Sequence, residues 1–295
     1  MKATGQHDAL VLSAHGNRGV ARRDNGELIA FHFRRRLGRP LPGDRVSIDE
    51  HKALCDIAER RNSFGRGDER GRKRHIAANL DRLVIVIAPE PAPSRDLLHR
   101  YLAAAEIAGI AAVIVLNKRD LPVPDQLPFD ELEDLQAIGY RLLHTRCLPP
   151  LELDELPALL SSGTSLLAGQ SGVGKSSLLN TLIPDLELHT RALSRVTGKG
   201  THTTTAATLY PLPSGSHVID TPGVWEYGLW SMEMSTLQRG FPEIHAHAVG
   251  CRFRDCSHVS EPGCAVAEAV AAGDIAVSRL AAWRRLLAEQ RRLKR

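Results

Sequence analysis

The run Gly169-Gln170-Ser171-Gly172-Val173-Gly174-Lys175-Ser176 fits the phosphate-loop pattern G-x-x-x-x-G-K-[ST] in full. Its residue types suit that task. Glycines let the backbone wrap a phosphate chain with its N–H groups turned inward. A helix opening at Lys175 and continuing through Ser176 and Ser177 adds positive partial charge at the same spot. Lys175 neutralises β- and γ-phosphates, and the Ser176 hydroxyl is a ligand for Mg²⁺. The chemistry is that of a bound nucleoside triphosphate.

A second motif selects the base. Asn117-Lys118-Arg119-Asp120 fits N-K-x-D at the end of an apolar run. Guanine presents N1–H and N2–H donors on one edge, and the Asp120 carboxylate accepts both. Adenine offers an acceptor at N1 and is repelled. Beside a phosphate loop, this turns a general nucleotide site into one for GTP and GDP and argues against an ATPase. No acceptor pocket for a kinase is legible. A third motif, Asp220-Thr221-Pro222-Gly223, also closes a short apolar run. An aspartate there holds Mg²⁺ through water, and the Gly223 amide meets the γ-phosphate. Between the two lies Gly198-Lys199-Gly200-Thr201-His202-Thr203-Thr204, whose polarity and glycines suit an order–disorder switch. Thr203 and Thr204 are both candidates for a second Mg²⁺ ligand.

Cys251, Cys256, His258 and Cys264 form a C-x4-C-x-H-x5-C cluster. Three thiolates and one imidazole make a closed tetrahedral set suited to one structural Zn²⁺, with no open position for a catalytic water. Cys55 and Cys147 stand apart and are expected to be core residues. His245 and His247 precede the cluster, but four ligands are already supplied. An odd cysteine count without a signal peptide argues against a disulfide framework.

These motifs require elements to hold them. Ala9–Ser13, Leu28–Phe33 and Arg45–Ile48, punctuated by Gly and Pro, predict a small all-β module, a barrel or a sandwich. The basic, glycine-rich stretch Arg60–Arg74 lacks periodicity and predicts a mobile linker. Asn79–Ala88 and Ala111–Leu116 read as buried strands around a helix over Ser94–Gly109, with Ser94 as its N-cap. That β-α-β order implies a parallel α/β sheet. Further strands are expected at Ser165–Ala168, Ala206–Pro211 and His217–Asp220, with a helix at Lys175–Leu182. A basic amphipathic helix follows the cysteine cluster. The expected units are a β module over 1–55, a linker over 56–76, an α/β domain over 77–230 and a mainly helical zinc domain over 231–295.

The motif order is unusual, because Asn117–Asp120 precedes the phosphate loop and Asp220–Gly223 instead of following them. That is the order of a circularly permuted GTPase domain. With Leu41-Pro-Gly-Asp-Arg-Val46, Ala78-Asn-Leu-Asp81 and Glu261-Pro-Gly-Cys264-Ala-Val266, the chain resembles the RsgA (YjeQ) family along essentially its whole length. Members are circularly permuted GTPases of small-ribosomal-subunit biogenesis. The resemblance implies an OB-fold at the N-terminus, a permuted P-loop GTPase domain and a zinc-binding C-terminal domain. It favours Thr204 as the Mg²⁺ ligand and His202 as the residue that orients the attacking water. The position after Asp220–Gly223 is Val224, which neither donates nor accepts, so unaided hydrolysis is expected to be slow. The sequence departs from the family at Thr201, where Arg is usual. No Ser-Ala pair backs the guanine near His144–Arg146, where Thr145 is the candidate.

Composition agrees with a globular enzyme: 295 residues, 43% hydrophobic and 24% charged. At 4% aromatic, the chain offers no stacking platform for bare bases. No apolar run approaches a membrane span, and the N-terminus lacks a signal-peptide core, so a cytoplasmic protein with no membrane partner is expected. The net charge of +4 is unevenly placed. Arg60–Arg74 carries seven basic residues against two acidic, and Arg279–Arg295 seven against one. Two such segments are the footprint of a polyanion, here the small subunit and its rRNA, gripped by the β module and the C-terminal helix. The expected activity is ribosome-stimulated GTP hydrolysis by a monomer. The alternative is a GTP-gated RNA-binding scaffold with incidental turnover.

Overall fold

The computed structural model describes residues 7–126, 128–190, 207–221 and 227–294. Five strands come first: β1 (Ala9–His15), β2 (Arg18–Arg23), β3 (Leu28–His32), β4 (Arg45–Ile48) and β5 (Leu54–Ile57). Ala9, Val11, Ala21, Phe31, Val46 and Leu54 form their shared interior. β1 pairs with β2 and β4, β2 with β3, and β4 with β5. A parallel bridge between His32 and Ala53 closes the ring, which is therefore a small barrel. Cys55 lies exposed on β5 and not in the core, since Leu54 alone of that strand is buried.

The stretch expected to be a mobile linker is folded. β6 (Ser63–Gly67) and β7 (Lys73–Ala78) form an antiparallel hairpin. Asp68 nucleates its turn by accepting the amides of Arg70 and Arg72, and its carboxylate also pairs with the side chains of Arg72 and Arg74. These bonds hold its pKa far below the usual carboxylate range. Phe64 reaches from the hairpin into a buried stack with Tyr101 and Tyr227, whose own rings lie 4.2 Å apart. Glycine-rich sequence hid the strands because their partner contacts are backbone bonds: Gly67 N–H donates to Gly228, and Ser231 N–H to Gly71.

β8 (Arg82–Ile87) is buried at every position after Arg82, and β9 (Ala111–Asn117) is buried from Val113 onward. Continuous apolar strands are stable in the middle of a parallel sheet, where both faces are covered. β10 (Arg141–Thr145), β11 (Thr164–Ala168) and β13 (His217–Asp220) complete the parallel set, in the order β10–β9–β8–β11–β13. β12 (Thr208–Pro211) runs antiparallel beside β13 and meets the barrel through the pair Ser13–Thr208. Helices α1 (Leu97–Ala108), α2 (Leu132–Ala137), α3 (Leu156–Leu159) and α4 (Lys175–Leu182) make the crossovers. Asp96, and not Ser94, occupies the N-cap of α1, and its carboxylate binds Arg285.

The C-terminal part is helical: α5 (Met234–Gln238), α6 (Pro242–Ala248), α7 (Ala265–Ala272) and α8 (Val277–Leu293). Leu280, Trp283, Leu286 and Leu287 put one face of α8 in the core. Burying each such side chain stabilises by about 1.5–3 kcal/mol. Four basic residues in and just after α8 have partners within the fold, while Arg291 and Arg292 are exposed. Arg279 is fully buried and binds Glu243 and His99; Arg285 binds Asp96; Arg284 donates to the carbonyls of His258 and Val259; Lys294 binds Glu233. Much of this charge clamps the helix onto α1, α6 and the cysteine loop. Among the described residues, no helix is long and apolar enough to cross a membrane.

Candidate functional site

All three motif-bearing strands, β9, β11 and β13, end on the same edge of the sheet, because they are parallel. Asn117 closes β9 and is buried. Its amide donates to the carbonyl of Val173 at 2.9 Å, and its side-chain oxygen accepts the buried Thr145 hydroxyl at 2.9 Å. The base motif is thus tied to the phosphate loop on one side and to β10 on the other. Gly174 has φ of +97°, and a Cβ there would fall 2.2 Å from the Asn117 amide nitrogen. Only glycine allows that approach. Lys118 holds a left-handed φ of 61° and donates to the Glu90 carbonyl at 2.6 Å. Arg119 points its guanidinium at Glu152 and Asp154. Asp120 is exposed.

In the phosphate loop, Lys175 donates to the carbonyls of Gly169 and Gln170, both at 2.8 Å. Burial lowers its pKa, and the nearby Asp220 carboxylate works against that. Gln170 is buried and anchors the loop by donating to the carbonyls of Pro91 and Ala92. Val173 packs in the apolar core beneath. Ser171, Gly172, Ser176 and Ser177 remain accessible, the last two on the first turn of α4. Tyr101 of α1 lies within hydrogen-bonding reach of the Gly169 backbone.

Asp220 sits at the end of β13. Burial pushes its pKa up to about 6, against the pull of Lys175. One carboxylate oxygen is buried without a hydrogen-bond partner. An orphaned anionic oxygen beside a phosphate loop is what a hydrated cation would satisfy, so the residues fit Mg²⁺. Gly223, Val224, His202, Thr203 and Thr204 lie outside the described residues.

The cysteine cluster assembles as its spacing predicts. The ligand atoms of Cys251, Cys256, His258 and Cys264 all lie within 4.8 Å of one another. His258 Nδ1 is 3.4 Å from the Cys264 sulfur and 3.7 Å from that of Cys251. Tetrahedral Zn–S and Zn–N bonds require ligand separations of about 3.5–3.8 Å, so the donor set and the two His258–sulfur distances fit zinc. Glu261 shapes the loop by accepting the amides of Ser257, Val259 and Ser260. Trp283 donates to the Ser257 carbonyl at 2.9 Å. His245 is exposed on α6 and takes no part.

Thr145, the candidate near the guanine, is buried with its hydroxyl donated to the Asn117 side chain, a partner the sequence did not announce. Cys147, expected in the core, is half-buried with its sulfur 3.8 Å from the Asn117 oxygen. Glu152 and Asp154 carried no local signal, since their partner Arg119 lies more than thirty positions earlier.

Known proteins resemble this chain. The RsgA GTPase family model matches residues 57–230. A protein of Chromohalobacter salexigens called small ribosomal subunit biogenesis GTPase RsgA is 44% identical, over 87% of this chain and 77% of its own length. The protein of that name from Marinobacter nauticus is 39% identical, over 96% of this chain and 84% of its own. Among solved structures, YjeQ from Thermotoga maritima is 30% identical with a TM-score of 0.71, covering 96% of this chain and 97% of its own. YloQ, described as a circularly permuted GTPase, is 27% identical with a TM-score of 0.68 and 98% coverage of both chains. With Asn117–Asp120 ahead of the phosphate-loop motif and both held to one sheet edge, the chain belongs to the RsgA GTPase family.

Proposed function

We propose that the protein hydrolyses GTP to GDP and phosphate while bound to the small ribosomal subunit and its rRNA, and that it assists late maturation of that subunit. The observation that carries the nucleotide part is the bond from Asn117 to Val173, which joins a guanine-selecting loop to a phosphate loop. The ribosomal part rests on the names of its relatives. Asp120 selects guanine; Lys175 and the amides of Gly169–Ser176 take up the phosphates; Gly223 senses the γ-phosphate. Ser176 and Thr204 would ligate Mg²⁺, with Asp220 acting through water, and the ion supplies charge neutralisation at the phosphates. His202 orients the attacking water. Cys251, Cys256, His258 and Cys264 would hold one structural zinc ion, fixing the loop against Trp283 and Arg284.

We take the units to be a barrel ending near Ile57, a GTPase domain that includes the β6–β7 hairpin, and a zinc domain from about 231 onward. The protein acts as a cytoplasmic monomer.

The deciding experiment is GTP turnover with purified protein alone, with small subunits, with large subunits and with free rRNA. Stimulation confined to small subunits is expected. Nucleotide-dependent binding to small subunits without stimulation would overturn the catalytic reading in favour of a GTP-gated scaffold.

A further inference from the structure

The loop between β10 and α3 follows Thr145, the residue that meets Asn117. Its backbone is pinned at both ends: Arg146 N–H donates to the Glu152 carbonyl at 2.6 Å, and Glu152 N–H returns to the Arg146 carbonyl at 3.0 Å. That reciprocal pair closes Cys147–Leu151 into a ring, and the Arg146 guanidinium braces it by donating to the Pro149 carbonyl at 2.8 Å. The ring stands against the base motif, since Arg119 N–H donates to the Thr145 carbonyl at 3.1 Å and the Cys147 sulfur is 3.8 Å from Asn117.

Arg119 then reaches across the gap. Its guanidinium lies 3.2 Å from Glu152 and 3.8 Å from Asp154. Asp154 in turn accepts the His144 amide at 2.7 Å from a left-handed backbone with φ of 44°. So one cation, in the variable position of the base motif, bridges two carboxylates on the neighbouring loop. Asp120, the next residue, is left exposed to meet a base.

We propose that Arg119, Glu152 and Asp154 form an electrostatic strut that sets the distance between the two loops flanking the guanine site, and thereby the lifetime of bound nucleotide. Glu152 and Asp154 are positioning residues and do not touch the base. The proposal rests on the reading of Asn117–Asp120 as the guanine site. All three side chains are partly exposed, so each ion pair is modest alone. The strut acts because closing the site requires both loops at once.

The test measures dissociation of a fluorescent GDP and steady-state GTP turnover in the full-length protein. Glu152→Gln combined with Asp154→Asn should speed GDP release about two- to fivefold, with the loss in KM and not in kcat. Reversing the pair, Arg119→Glu with Glu152→Arg, should recover most of what Arg119→Glu alone loses. Raising salt should speed release more steeply from the unsubstituted protein than from the Gln/Asn variant, because both hold a charged nucleotide but only the former also has the strut to screen. Unchanged release in the Gln/Asn variant, or a reversed pair no better than Arg119→Glu, would overturn the strut. Asp120→Asn separates the premise: if it keeps the preference for GDP over ADP, the guanine-site reading falls and the strut with it. If it loses that preference while the strut variants behave as the unsubstituted protein, the strut alone falls.

Discussion

Asn117 and Val173 are 56 positions apart, and the side chain of the first donates to the backbone of the second at 2.9 Å. That bond crosses the point where the motif order is inverted. It works because β9 and β11 both flank β8 in one parallel sheet, so their C-terminal ends share an edge whatever order the chain visits them. Connectivity changes under permutation, but the contact does not.

Asn117→Ala removes both arms of this tie. The Thr145 hydroxyl and the Val173 carbonyl lose partners in a buried setting, which costs about 1–3 kcal/mol per unsatisfied group. Lower thermal stability is expected, together with weaker GDP binding. Measuring both separates the effects, since saturating GDP should not restore the whole loss. A stable variant with unaltered affinity would show that the tie does not organise the site.

Asp220 supplies a pH dependence. Burial raises its pKa from 3.8 to about 6, so the folded protein binds this proton more tightly than the unfolded chain. The native state therefore holds more protons between those two values, and stability falls as pH rises through that window. Above about pH 6 the buried charge carries its whole cost, and below the unfolded value it carries none. At 1.36 kcal/mol per unit, the effect is on the order of 3 kcal/mol. Asp220→Asn should stabilise the nucleotide-free protein at pH 7.5, with the advantage fading toward pH 4. Denaturation midpoints across that range provide the check, and a pH-independent difference would contradict it.

Much of this was legible in the sequence, and the limits have physical causes. The phosphate loop, the base motif and the cysteine cluster are local, so spacing alone reveals them. Strands such as Arg82–Ile87 announce themselves by β-branched runs. The β6–β7 hairpin did not, because glycine and arginine mask a strand whose stability comes from Phe64 meeting Tyr101 and Tyr227 far along the chain. Charge was the least legible feature. Arg279 and Arg285 read in sequence as part of a polyanion footprint, yet their carboxylate partners are Glu243 and Asp96. No local pattern announces a pairing made across 36 or 189 positions.

Removing the zinc proposed for the cysteine cluster should unfold a defined part of the molecule. Phe253 and Val259 of the cluster loop are exposed, and the loop is tied to α8 by Trp283 and Arg284 and braced from within by Glu261. A chelator at neutral pH should expose the loop to protease between Cys251 and Cys264 and redshift Trp283 fluorescence, with one zinc released per chain. Because α8 is also clamped to α1, GDP binding should survive chelation. Loss of all nucleotide binding on chelation would mean that the zinc loop supports the GTPase domain itself.

Arg279 gives the sharpest prediction about how the C-terminal helices are held. It is fully buried, with Nε 2.8 Å from Glu243 and one terminal nitrogen 2.9 Å from His99 Nδ1, and the other ring nitrogen of His99 lies 2.6 Å from Glu131. With Arg279 donating to Nδ1, His99 is neutral and its Nε2–H donates to Glu131. Burial also lowers its pKa. Arg279→Ala strands Glu243 and leaves Nδ1 without a donor; breaking a buried pair from one side costs about 3–5 kcal/mol. Arg279→Met with Glu243→Leu removes both charges and should recover a large part of that loss. Arg291→Ala, on the exposed end of α8, should change stability by less than about 0.5 kcal/mol. Chemical denaturation of the three variants checks the ranking. If Arg279→Ala instead costs no more than Arg291→Ala, the buried chain does not hold α8 in place.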